Sequence, residues 1–167
     1  MPNETVRRFV LLLPLLAASA YCIDLGSDSL KGLKSAAVLI EGLDTADETA
    51  LGVSEKTLKT DVELKLRLAG LTVEQPPASH EAGLLFVRID PLRVGPVGGY
   101  AASVRLELYQ GVNITRGQGI ATLAMTWYSS MMVYAPPGRI GADIRQEVRD
   151  LADRFLNAYL AANPKGR

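Results

Sequence analysis

The spacing of hydrophobic residues changes along the chain, and each spacing predicts an element. Near the C-terminus, after the break APPG (135–138), Ile144, Val148, Leu151, Phe155, Tyr159 and Ala162 recur every three or four residues. That is one face of an amphipathic helix. Arg149–Asp153 and Asp150–Arg154 stand four apart on its polar side, and Asn163-Pro164 ends it. Two other stretches alternate with period two. In 100–114, Ala102, Val104, Leu106 and Leu108 face one way, and Ser103, Arg105, Glu107 and Tyr109 face the other. In 120–134, Ala121, Leu123, Met125 and Trp127 share one face, with Thr122, Ala124, Thr126 and Tyr128 opposite. Both are half-buried strands. GLLFVRIDPLRV (83–94) and SAAVLIEGL (35–43) are apolar runs of strand length, and GPVGG (95–99) and TRGQG (115–119) are turns.

Residues 53–77 fit both periods. Val62, Leu64, Leu66 and Leu68 alternate with charges, whereas Leu58, Val62, Leu66 and Ala69 form a helical stripe. Ser54 suits an N-cap, Val53 and Leu58 a staple across the first turn, and Gly70 a left-handed C-terminus, so the helix is preferred. Leu64 and Leu68 widen its apolar arc, which implies a second neighbour besides the sheet. DTADETALG (44–52) reads as an acidic loop and LTVEQ (71–75) as a short strand.

The order is therefore β-α-β-β-β-β-α. It predicts an α/β (α+β) two-layer sandwich: a mixed sheet with both helices on one face. The first crossover should be right-handed and set its strands parallel, and the later strands should form an antiparallel meander. The other sheet face, with Arg105, Glu107, Tyr109, Thr122 and Thr126, can stay wet. The C-terminal helix should dock across the meander, with Phe155 against Leu106, Leu123 and Met125.

The N-terminus changes the picture. Arg7 and Arg8 precede an apolar run, Phe9 to Ala18, and Ala18-Ser19-Ala20 offers small residues where a signal peptidase reads. Phe9 to Ile23 falls short of the ~20 residues a membrane span needs. The expectation is a signal peptide over 1–20, cleaved between Ala20 and Tyr21, a flexible leader over 21–34, and one globular domain over 35–165. The location that follows is the periplasm, with no transmembrane span left after cleavage. The alternative is an outer-membrane lipoprotein anchored through Cys22, the only cysteine. Tyr21 fits badly in the small-residue position before a lipidated cysteine. A single cysteine also forms no internal disulfide.

About 150 residues remain after cleavage, enough for one core. Loss of Arg7, Arg8 and Glu4 leaves one net negative charge, and acidic and basic residues are interspersed. That excludes a basic nucleic-acid face. Candidate chemistry is sparse. His80 is the sole histidine, next to Glu81 in a loop, without the partners that a nucleophile-activating base needs. No His/Cys cluster suggests zinc, and Asp44, Asp47 and Glu48 lack the glycine turn and distal glutamate of a calcium loop. GPVGGY and GVNITRGQG lack the phosphate-loop lysine. No cofactor, metal or catalytic residue is expected.

SSMMVYAPPGR (129–139) stands apart. Met131, Met132, Val133 and Tyr134 run consecutively, more apolar surface than one strand face buries, and methionine and tyrosine suit adaptable contacts. With Arg105 and Tyr109 on the neighbouring strand they form the candidate contact surface. TDVELKLRLAGLTV (60–73), YAASVRLELYQGV (100–112) and IRQEVRDLADRFLNAYLAANPK (144–165) together resemble small, exported, uncharacterised bacterial proteins. The layout is also similar, at fold level, to TolB N-terminal-type envelope domains. The resemblance implies an assembly or accessory role and brings no activity. The functional expectation is a non-enzymatic interaction domain of the cell envelope with a protein partner. The alternatives are a small-ligand-binding periplasmic protein or an Asp/Glu-dependent hydrolase built around Glu41, Asp44 and Asp90.

Overall fold

The computed structural model describes residues 27–76, 78–95, 98–116 and 119–164. The expected cleavage-site residues Ala18, Ala20 and Tyr21, and the lipidation alternative Cys22, lie outside the described residues. The strands are β1 (Ser35–Glu41), β2 (Thr72–Glu74), β3 (Gly83–Val94), β4 (Gly99–Asn113) and β5 (Ala121–Ala135). They form one sheet in the order β2-β1-β3-β4-β5. β1 lies parallel to both β2 and β3, and β3, β4 and β5 are an antiparallel meander. The helices are α1 (Thr45–Leu51), α2 (Glu55–Ala69) and α3 (Ile140–Ala162); α2 and α3 cover one face with the core between them and the sheet, and α1 adds Leu51 at its margin. This is the expected two-layer sandwich with one helix more.

That extra helix replaces the acidic loop expected at 44–52. Its signal is local. The Asp44 carboxylate accepts from the Asp47 N–H at 2.7 Å, and the Asp47 carboxylate accepts from the Asp44 N–H at 3.5 Å, a reciprocal cap. Acidic residues in the first turn also complement the helix dipole. Seven residues with one buried side chain, Leu51, are too few to show a period.

α2 forms for the reasons the sequence suggests. Ser54 Oγ accepts from the Thr57 N–H at 3.3 Å, and Gly70 ends the helix at φ +95°. Leu58, Val62 and Leu66 are fully buried. Leu64 and Leu68 are exposed, which corrects the wide apolar arc. The second neighbour is α3, but it meets α2 through Asp61 and Lys65, and the two leucines lie past that seam.

Two further expectations change. Residues 27–34 are packed into the fold and do not continue a flexible leader. Leu30, at the end of a 3₁₀ turn over Asp28–Leu30, is fully buried. Ser29 Oγ donates to the Thr126 carbonyl at 2.9 Å. Asn163 then clasps the turn, donating to the Leu30 carbonyl at 2.8 Å and accepting from the Gly32 N–H at 2.7 Å. The second change is in β5. Leu108 pairs with Trp127 while Tyr109 pairs with Met125, so Thr126 is an extra residue, a β-bulge. The alternation slips by one there. Trp127 points into the core and meets Phe155 edge-on, 5.2 Å between centroids. Leu123 and Met125 instead share the open face with Tyr109 and are half exposed. Phe155 therefore packs on Trp127, and its expected contacts with Leu123 and Met125 are absent for that geometric reason.

Candidate functional site

The sheet face away from the helices is built of cross-strand rows. Leu84, Tyr109 and Met125 make one row and Phe86, Glu107 and Tyr128 the next. Glu41, Arg88, Arg105 and Ser130 follow, then Asp90, Ser103 and Met132, and last Leu92, Ala101 and Tyr134. The middle of the face is charged and both ends are apolar.

Arg88 and Arg105 stand directly opposite each other, a like-charge pair that alone would destabilise the sheet. Three carboxylates resolve it. Glu107 accepts from Arg88 Nε at 3.0 Å and lies 3.5 Å from Arg105 Nη1. Glu41 lies 2.8 Å from Arg88 Nη1, and Asp90 accepts from Arg105 Nη2. The Asp90 hydrogen bond, outweighing partial desolvation, raises the Arg105 pKa above its ordinary value. Glu107 is only 5% exposed, although the strand pattern placed it on a wet face. The arginine stems and the Tyr109 ring shelter it, and Tyr109 Oη donates to it at 3.3 Å. A buried carboxylate with several donors is satisfied. The Arg88 guanidinium lies 5.2 Å over the Phe86 ring, and Phe86 meets Tyr109 edge-on at 5.4 Å. Two guanidiniums and three carboxylates thus hold one another in a stiff ladder that keeps one surplus negative charge.

The structure divides the residues proposed for contact. Met132 and Tyr134 are 71% and 64% exposed on the open face. Arg105 and Tyr109 lie on the same face, half-buried. Met131 and Val133 point the other way, under the helices, and do not belong to the contact side. The alternation simply continues through MMVY. Tyr134 folds back over Gly99, where a Cβ would meet its hydroxyl at 2.7 Å. Thr122 and Thr126, expected on this face, are moved off it by the bulge. The sequence pattern missed Phe86, Arg88, Leu123 and Met125. Arg88 could have been found by aligning the charge of 83–94 against that of 100–114 as antiparallel neighbours.

The carboxylates proposed for hydrolysis are all engaged. Glu41 pairs with Arg88, Asp90 with Arg105, and Asp44 caps α1. Among the described residues no group of three His, Cys, Asp or Glu could hold a metal ion. A cavity of about 840 Å³ opens between the α1–α2 corner and the start of α3, with Arg145 and Arg149 on its wall. Both guanidiniums are held by Asp61, at 2.6 and 3.0 Å from Arg145 and 3.0 Å from Arg149. The Arg145 hydrogen bond, followed by Arg149, overcomes burial and pulls the Asp61 pKa to about 2. Asp61 is therefore a permanent anion and no proton donor near neutrality. Glu48, on the same wall, accepts from the Glu55 N–H at 2.6 Å and caps α2. A second cavity, about 740 Å³, lies where the 75–82 loop approaches β5, lined by Leu39, Leu84, Ala82 and Leu123, with His80 at its side. His80 is exposed.

Among the described residues no helix is long and apolar enough to cross a membrane. No protein-family model matches the chain, and no curated protein matches it. Solved structures do. The PelC dodecamer from Paraburkholderia phytofirmans is 18% identical, covering 81% of this chain and 88% of that one, with a TM-score of 0.43. The hypothetical protein CT253 from Chlamydia trachomatis is 12% identical, covering 77% and 99%, with a TM-score of 0.47. Neither is named as a TolB-type domain, and likenesses this distant carry no argument about what this chain does.

Proposed function

We propose that this chain is an exported, non-enzymatic domain of the cell envelope that works by protein contact through the open face of its sheet. The observation that supports it is the make-up of that face. Apolar and aromatic side chains, Leu123, Met125, Tyr128, Met132 and Tyr134, stand exposed at both ends of a ladder whose arginines and carboxylates are paired with one another. Exposed apolar patches around a rigid polar centre suit a protein interface. Arg7, Arg8 and the Ala18-Ser19-Ala20 site support the envelope location. The test is photo-crosslinking in intact cells from single positions. Met125 and Tyr128 should yield the same discrete adduct, and Leu68, exposed on α2, should yield none. Equal labelling from Leu68, or none from the face, removes the proposal.

The small-ligand reading keeps one observation in its favour. The 740 Å³ cavity has the size and apolar lining of a small-molecule pocket. A single uncharged alkyl or aromatic ligand would fill it. Leu84→Trp should abolish binding of an apolar fluorescent probe there. Probe binding unchanged by that substitution sets the cavity aside.

A further inference from the structure

We propose that β5 pairs along its outer edge with β5 of a second copy of this chain, antiparallel about a two-fold axis, to form a closed dimer. β5 is the last strand of the sheet, and no strand pairs with its outer edge among the described residues. Such an edge offers a row of free N–H and C=O groups to another strand. Native sheets blunt their edges with charge, proline, shortness or a covering segment. The two edges here differ. β2 is three residues long, ends on Glu74, and is followed by Pro76. β5 runs for fifteen residues, Ala121–Ala135, with no charged residue and no proline.

That difference selects the occupant. β2 of another copy cannot fill β5, because three residues face fifteen, so a head-to-tail chain of sheets is not available. A β5–β5 contact presents the same strand from both sides and closes on itself. Its charge also fits. A neutral strand meets its twin with no like-charge opposition, whereas a charged partner strand finds no counter-charge on β5. Ser29 already occupies the Thr126 carbonyl, which limits pairing to Tyr128–Ala135. With the two-fold axis at Met132, Met132 stands opposite its own copy on the open face and Ser129–Ala135 pair, a ladder of roughly 23 Å at ~3.3 Å per residue. The pairing uses the edge and leaves the open face free, so it goes beyond the envelope reading and does not depend on it.

The experiment measures the mass of the purified, folded chain by sedimentation velocity across micromolar concentrations. The expected mass is twice that of one chain. Met132, which is 71% exposed, sits at the axis. Met132→Lys and Met132→Glu should each leave the circular dichroism of the folded chain unchanged and weaken the dimer at least tenfold, by setting like charges face to face, with the thermal midpoint falling only at concentrations where the parent is dimeric. Mixing the two variants should restore a dimer containing one of each. A monomer at every concentration, an assembly larger than two, a dimer indifferent to both substitutions, or a mixture that stays monomeric overturns the proposal.

Discussion

Among the described residues Phe155 is the largest fully buried side chain, and its ring stands edge-on to Trp127, the only tryptophan of the sequence. Phe155→Ala should cost about 3–5 kcal/mol, because the cavity it leaves has rigid walls on both the sheet and α3. Trp127 fluorescence in a urea titration reads this directly, and an unchanged midpoint would place α3 elsewhere. Asp61 makes a different kind of contribution. Its two arginines hold its pKa at about 2, against an ordinary value of 3.8. The unfolded chain therefore takes up the proton first as the pH drops. The stabilisation is complete above about pH 4 and disappears as the pH falls towards 2. The arginine side chains are about two-fifths exposed, so it should amount to about 1–2 kcal/mol and not the full converted shift. Asp61→Asn should lower the midpoint at pH 6 and flatten the acid limb between pH 4 and 2. A variant with the same acid limb as the parent would show that the ion pairs contribute nothing.

At the scale of elements, α3 depends on a glycine. A Cβ at Gly141 would sit 2.2 Å from the Leu51 carbonyl oxygen, so the first turn of α3 rests against the end of α1. Gly141→Ala should cost about 1–3 kcal/mol by overpacking, although alanine favours helix in general. A calorimetric scan decides between the two effects, and a raised midpoint would mean that the junction yields. The element types were largely legible in the sequence, because α2, α3 and the long strands carry sustained periods. α1 was not, since its evidence is a cap and a terminal glycine rather than a stripe. The face assignments of 120–134 failed at one residue. A bulge at Thr126 leaves no mark in a hydrophobicity pattern, because Leu123, Met125 and Trp127 alternate correctly on paper. The candidate site was half legible for the same reason. Met132 and Tyr134 could be singled out, but the burial of Glu107 arises from Arg88 on another strand, and pairing partners are not written along the chain.

In the whole molecule, the helical layer is assembled from both ends of the domain. Leu30 and Leu33 come from the start, α1 and α2 from the middle, and α3 from the last twenty-odd residues. Asn163 ties the two ends together through Leu30 and Gly32. Shortening the chain at residue 139 should therefore abolish the cooperative urea transition altogether instead of lowering its midpoint, and expose the sheet to apolar dyes. A truncated chain that still unfolds in a single sharp step would show that the strands suffice. The same arrangement bears on timing. Synthesis proceeds from the N-terminus at roughly 5–20 residues per second. Every strand is made before α3 exists, so for the last seconds of translation the growing polypeptide has a sheet's worth of apolar residues and no lid for them. Folding must wait for the final turns of the chain, because until they are released the apolar side of the sheet has nothing to close over it.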